Sequence, residues 1–386
     1  MQDPTTLLAT VQHIEGALAH WYRGRAADLL EDVAGARKSF QECAATAPRG
    51  GIDCLLWLAG IESNEGACED AALAAKQLIA IDSSAPQGYH WLARAEFGRS
   101  QQTSAVRAIL EERWARLPEP QREAEHRRDE FDLAVLDGRF EQAYESLDAW
   151  DHAIAHSADA HERAMPFTCR IDLDLELGRT EAARRAATSF VEASQAWLPE
   201  ETWDMPAERT RALYLTDQIG RSAFRQRRAQ DELELRARNG WWAAPNVRWF
   251  DSYVQNVKDA EDARVAVAAQ PATRPFLEAA FRNRYVDSEL GRMYLYAGQL
   301  DKSLELLRRA TKSCSYVRGL YVFRAHALYG DALARRARPR EACEHYAYVL
   351  QRWGHEPGSR TARDATESAL RLGCRGSTDT ALRLRR

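Results

Sequence analysis

Glycine and proline are scarce in this 386-residue chain, 21 and 13 respectively. An all-β protein needs such residues at its many turns, so the composition favours helix before any pattern is read. No apolar run approaches the roughly 18 residues that span a bilayer; the longest, CLLWLAGI over 54–61, is far shorter. The opening MQDPTTLLATVQH lacks a basic stretch followed by an apolar one, so the expectation is a cytoplasmic chain, neither exported nor anchored. Charge of one sign is not in excess either: 53 Lys and Arg face 57 Asp and Glu, a formal charge of −4. A surface devoted to releasing counterions from nucleic acid would be strongly basic. The basic residues are 48 Arg to only 5 Lys, which carries no mechanistic weight. No CxxC spacing occurs among the seven cysteines, Cys43, Cys54, Cys68, Cys169, Cys314, Cys343 and Cys374. Scattered and odd in number, they suit neither a ribbon-type zinc site nor a disulfide framework and are read as buried thiols of a reducing compartment.

Catalytic signatures are missing as well. The chain has no GxxxxGK[ST] phosphate cradle, no glycine-rich loop, no VAIK-type lysine and no DFG. HRRDEFD (126–132) differs from a kinase catalytic loop by an extra Arg and by the absence of Asn at the right distance. The expectation is a non-enzyme without cofactor or metal.

What is present is a repeat. Seven windows of about 34 residues, the tetratricopeptide (TPR) length, start at Ala17, Ile52, Pro86, Ala124, Ala164, Arg284 and Phe323. Position 20 is small in each: Ala36, Ala71, Ala105, Ala143, Ala183, Ser303 and Ala342. Position 8 is small in five, Gly24, Ala59, Ala93, Gly291 and Gly330, and large at Phe131 and Ile171. Two helices of an antiparallel hairpin approach closely only where facing side chains are small, so positions 8 and 20 are expected to meet. Phe40, Ile109, Leu147, Leu307 and Tyr346 recur at position 24 as knobs, and Gly66, Gly138, Gly178 and Gly298 at position 15 mark the turn between helices. The fold class predicted is therefore all-α: a TPR-like α-solenoid of antiparallel helix hairpins with a helical insert between two repeat blocks. The blocks are 1–198, an N-terminal TPR-like block; 199–275, an off-period helical insert and linker; 276–374, a C-terminal TPR pair with a closing helix; and 375–386, a disordered tail. Within the insert the pattern predicts one long polar helix over about 206–239, with Asn239-Gly240 as its C-cap.

Three residue groups invite a chemical reading. His152, His156 and His161 lie in DHAIAHSADAHE, but two histidines sharing a helix face without a fixed third ligand underdetermine a metal site. Asp172, Asp174 and Glu176 resemble an acid cluster in print; a solvated helix surface is the expected explanation. Arg221, Arg225, Arg227, Arg228, Arg236 and Arg238, followed by Trp241, Trp242 and Trp249, form the one basic and aromatic stretch suited to single-stranded nucleic acid. Asp231, Glu232 and Glu234 interrupt it, and tryptophans in an insert more often cement packing.

The segments LGRMYLYAGQLDKSLELLRRATKSC (290–314), AHALYGDALARRARPREACEHYAYVLQRWG (325–354) and SRTARDATESALRLGC (359–374) closely resemble the C-terminal TPR arrays of large bacterial serine/threonine protein kinases. The similarity covers about 120–386, with 1–119 matching only as generic TPR. No residue here matches the catalytic motifs of that family, so the resemblance implies the role of a docking or sensing part of a kinase signalling system, the chain being either a separately encoded or truncated relative or the partner of a kinase domain encoded nearby. A TPR clamp for C-terminal carboxylates uses Lys and Asn at positions 5 and 9 of one repeat. The pairs here, including Trp21/Arg25, His90/Arg94 and Arg128/Asp132, do not match it.

The function expected is a protein-interaction scaffold that takes a protein or peptide partner in a groove lined by first helices. The candidate partner-binding residues are Tyr285, Arg292, Tyr296, Arg324 and Asp331, with no membrane and no nucleic acid among the partners. A nucleic-acid-associated or transcriptional regulator and an enzyme on a helical-repeat scaffold are the alternatives.

Overall fold

The computed structural model describes residues 15–30, 32–46, 51–197, 205–236, 245–271 and 284–374. Every regular element among them is helical: nineteen α-helices and one 3-10 turn. The chain is an all-α, TPR-like array in which consecutive helices pack as antiparallel pairs. Contacts divide it into two compact units. The first holds 1–129, 272–287 and 309–318; the second holds 130–271, 288–308 and 319–386.

The first unit contains three successive pairs: α1 (Ala17–Leu29) with α2 (Val33–Thr46), α3 (Ile52–Glu65) with α4 (Cys68–Ile81), and α5 (Pro86–Ser100) with α6 (Thr103–Trp114). It also holds the start of α7 (Glu119–Leu136). In the second unit, α8 (Phe140–Ile154) pairs with the rest of α7, and α9 (Ala160–Glu176) pairs with α10 (Thr180–Gln195). Then come α11 (Met205–Leu215), α12 (Arg221–Arg236), α13 (Pro245–Ser252), the 3-10 turn Val254–Asn256 and α14 (Ala260–Ala268). The last pairs are α15 (Arg284–Tyr296) with α16 (Leu300–Lys312), whose residues 284–287 and 309–312 belong to the first unit, and α17 (Gly319–Arg335) with α18 (Pro339–Trp353), and α19 (Arg360–Leu372) closes the array. Proline opens α5 and α18, where its missing N–H costs nothing. Asp159, Asp259 and Ser359 cap α9, α14 and α19 by accepting backbone N–H bonds.

The small-residue rule holds and gains a partner. Ser303 Oγ donates to the Gly291 carbonyl at 2.9 Å, so positions 8 and 20 do face each other. Over that contact lies position 24. A Cβ on Gly24, Gly291 or Gly330 would come within 2.7, 2.6 and 2.6 Å of Phe40, Leu307 and Tyr346 respectively, so the glycine of one helix is the socket for the knob of the next. The third pair departs from the expected phase. Its seam is Val106 and Leu110, both fully buried, while Ala105 and Ile109 are only half-buried. The reason is the turn: Gln101, not Ser100, adopts the left-handed conformation, so α6 starts its buried face one residue later. Gly66, Gly138, Gly178 and Gly298 take positive φ as expected, and Ala337 does so without glycine's freedom.

The insert is not one helix over 206–239. It breaks after α11, where Asp217 has φ 56° and Thr216 Oγ1 returns to the Ala212 carbonyl, and α12 restarts after Gly220. The expected Asn239-Gly240 cap and the tail 375–386 lie outside the described residues. The cysteine reading is corrected: six of the seven are paired as Cys43–Cys54, Cys68–Cys314 and Cys343–Cys374, and Cys169 is in no disulfide. The second pair spans 246 residues of sequence, a proximity that spacing cannot reveal. These bridges do not by themselves establish a compartment.

Candidate peptide-binding face

In the first unit, the first helices of the pairs carry aromatic and cationic side chains that stack from one pair onto the next. The Arg25 guanidinium lies 3.6 Å from the Trp57 ring centre, and that of Arg94 lies 4.4 Å from Trp91. Trp57 and Trp91 flank one hydrophobic cluster, and the Trp91 ring reaches α3 where Gly60 leaves room for it. His90 and Arg94 are four residues apart on α5 and share a face.

Next to this face is a buried charge network. Asp129 is fully buried and accepts from Arg113 Nη1 at 2.7 Å, Trp114 Nε1 at 2.9 Å and the Tyr316 hydroxyl at 2.9 Å. Burial pushes its carboxyl up, and Arg113 and Arg128 oppose that rise. Glu125 accepts from Arg113 Nη2 and from Arg128 Nη2, while Nε of each arginine is buried without a partner. Two guanidiniums, Arg113 and Arg128, therefore meet the two carboxylates, and Arg94 stands outside those pairs, near Tyr316. Arg94 is the cation left over. It makes no ion pair and no hydrogen bond among the described residues, and its buried Nε has no partner. Burial lowers its pKa to about 10. Nδ1 of His90 is likewise buried without a partner, and burial, then Arg94, Arg113 and Arg128, hold that ring well below the usual histidine range. A half-buried guanidinium with no anion is an expensive arrangement unless something supplies one.

The residues singled out from sequence are distributed differently. Tyr285 belongs to the first unit, with Arg318 over its ring at 4.2 Å. The other four lie in the second unit. Arg324 reaches Glu176 at 3.1 Å and the Asp172 carbonyl at 3.1 Å. Arg292 pairs with Glu289 and donates to the Gln255 carbonyl at 3.4 Å. Asp331 accepts from the Tyr346 hydroxyl at 2.7 Å, and Tyr296 is half-buried. Arg292 and Arg324 converge with Arg211 on Asp172 and Glu289; Asp331 and Tyr296 are not part of that group.

The acid cluster is corrected from a solvated surface to a buried network. Asp172, Asp174 and Glu176 are all less than 10% exposed. Asp172 accepts from the Tyr321 hydroxyl at 2.7 Å, and Glu176 accepts from Ser359 Oγ at 2.9 Å and Thr361 N at 2.8 Å. Burial opposes the charge on Asp172, but Arg211, Arg324 and the Tyr321 hydroxyl outweigh it and hold the carboxyl below its usual value. The Tyr321, Ser359 and Thr361 partners of Asp172 and Glu176 lie about 150–185 residues away, which no local pattern could disclose.

His152, His156 and His161 are exposed, and no group of three metal-type ligands occurs among the described residues. In the basic stretch, Arg221 pairs with Asp259, Glu261 and Asp262, Arg225 pairs with Glu261, and Arg228 stacks on Tyr253 at 3.9 Å. Trp249 is buried and donates to the Ala266 carbonyl at 2.7 Å. Arg238, Trp241 and Trp242 lie outside the described residues. Among those residues no helix is long and apolar enough to cross a membrane.

No protein-family model matches the chain, and no curated protein matches it. Solved structures do. The TPR domain of P58(IPK) is 12% identical with a TM-score of 0.24, covering 92% of this chain and 98% of that one. Yeast Tom70 is 13% identical at 0.31, covering 95% and 90%. Naa15/Naa10 bound to HypK-THB is 14% identical at 0.30, and this chain, 99% covered, spans only 60% of the length of that one. Nothing about binding passes from these proteins to this chain at such scores. From its own helix pairing, the chain is a TPR-like helical repeat protein.

Proposed function

We propose that this protein is a non-catalytic interaction scaffold whose first unit receives an acidic segment of a partner protein on the α5 face. The carrying observation is Arg94, a half-buried cation with an aromatic platform beneath it and no anion beside it. A partner carboxylate would complete its ion pair, His90 Nδ1 would gain a partner, and the Trp57 and Trp91 rings would cover apolar side chains next to it. The resemblance to kinase-linked arrays supports a finer reading, a docking or sensing part of a cytoplasmic serine/threonine kinase system. Purified protein that hydrolysed ATP or transferred phosphate would overturn the non-catalytic part.

The test is fluorescence anisotropy with a labelled peptide of alternating glutamate and leucine, against its lysine counterpart and a single-stranded oligonucleotide. The glutamate peptide is expected to bind, and Arg94→Gln is expected to weaken it about tenfold with no loss of thermal stability. Equal binding of the lysine peptide, or tighter binding of the oligonucleotide, would sink the reading.

A further inference from the structure

The closing helix of the second unit is held unevenly along its length. At its N-terminal end α19 is anchored by polar groups: Ser359 Oγ and the Thr361 N–H donate to Glu176 Oε1 at 2.9 and 2.8 Å, and Thr361 Oγ1 donates to Glu176 Oε2 at 3.0 Å. Beyond that turn the helix packs through small side chains. Its buried residues are Thr361, Ala362, Ala365 and Ala369, while its two large apolar residues, Leu370 and Leu372, are exposed and half-buried. An alanine methyl takes far less apolar area out of water than a leucine does, so this stripe holds the helix weakly. At the C-terminal end the tie is covalent: Cys374, next to the Gly373 cap, is bonded to Cys343 on α18. This half of α19 lies over polar groups of the preceding pair. Ser368 Oγ donates at 3.4 Å to Asp331 Oδ1, which also accepts from the Tyr346 hydroxyl.

The three bridges differ in access and in what else holds their ends. Cys43 and Cys54 are each 1% exposed. Cys68 is half-buried, but the segment carrying Cys314 has further anchors in the first unit: the Cys314 N–H donates to the Ser63 carbonyl at 2.8 Å, Arg284 to the Ser315 carbonyl at 2.8 Å and Tyr316 to Asp129 at 2.9 Å. Cys343–Cys374 joins a half-buried residue, Cys343, to the end of a helix that packs there through alanines.

We propose that the Cys343–Cys374 bridge is a redox latch and that α19 is the lid it locks over the α17–α18 face. A dithiol reductant opens it. One thiolate of the reductant attacks Cys343 Sγ, the S–S bond breaks, and Cys374 leaves as a thiolate that takes up a proton. The second thiol of the reductant, as its thiolate, then displaces Cys343, which is protonated in turn, and the reductant departs as a cyclic disulfide having given up two electrons. Cys343 is the residue attacked because it is half-buried, whereas Cys374 is only 5% exposed. With the latch open, α19 frays from Ala365 onward while Glu176 keeps its first turn in place. The device belongs to the second unit and does not depend on the α5 face.

Hydrogen exchange of the full chain, read by mass spectrometry before and after treatment with limiting dithiothreitol, tests this, with iodoacetamide labelling to map the cysteines that have opened. Cys343 and Cys374 are expected to label before Cys43 and Cys54. Once they have, amides of 366–374 should exchange at least about tenfold faster while those of α17 stay protected. Replacing Cys343→Ser and Cys374→Ser together should give the fast exchange without reductant and no further change with it. If that variant does not fold, the labelled native protein still decides the matter. Unchanged protection over 366–374 after Cys343 and Cys374 have been labelled would overturn the proposal. Equal acceleration across α17, α18 and α19 would overturn it too, by making the bridge a plain structural staple, and so would labelling of Cys43 and Cys54 first.

Discussion

The Cβ that Gly291 lacks would lie 2.6 Å from Leu307 Cγ. The hairpin of α15 and α16 is therefore closed by the absence of a methyl group. Gly291→Leu is expected to destabilise by about 1–3 kcal/mol through overpacking, read from urea unfolding. Because the clash is with one side chain, Leu307→Ala should recover part of the loss, and strict additivity of the two changes would show that the residues do not meet.

Ala337 occupies the turn between α17 and α18 at φ 56°, where most other pairs have glycine. A left-handed alanine costs roughly 1–2 kcal/mol. Ala337→Gly should accordingly stabilise by about 1 kcal/mol, after glycine's own entropy loss is subtracted. An unchanged or lower urea midpoint would mean that the turn is not left-handed.

Asp172 is held below its ordinary pKa in the folded state by Arg211, Arg324 and Tyr321 against the cost of burial. A carboxylate depressed on folding contributes stability that is complete above its unfolded pKa and is lost as pH falls through the folded one. Asp172→Asn should lower stability at pH 7 by about 3 kcal/mol, because the arginines lose their anion. It should also flatten the decline of stability below about pH 4. A parallel acid limb in mutant and native protein would contradict the assignment.

Arg292 neutralises Glu289, a buried carboxylate whose pKa rises through burial although Arg292, Arg211 and Arg324 oppose it. Arg292→Ala should therefore cost about 2 kcal/mol of stability, whereas Tyr296→Ala should leave the unfolding midpoint nearly unchanged. Loss of partner capture by the double variant at unchanged stability would instead assign both residues to a binding groove.

Titration of thiols in denaturant without reductant should find one reactive group, that of Cys169. Seven would mean that the three pairs do not form in the compartment from which the protein was taken.

The repeats were legible because their cause is local. A small residue at position 20, glycine at position 15 and a knob at position 24 are each dictated by the neighbouring helix of the same hairpin, within about 20 residues. Even the breaks in α11–α12 and in the third pair have local causes at Asp217 and Gln101, which only the backbone torsions disclose because neither residue is a glycine. The charge networks and two of the pairings have no such local sign. Asp129 is buried because Tyr316 reaches it from 187 residues away, and Glu176 because Thr361 does so from 185. In a sequence window both look like ordinary acids on a charged helix. Arg94 is the same case in reverse: its significance is that no carboxylate arrives, and a missing neighbour becomes visible only once tertiary packing has placed all the others.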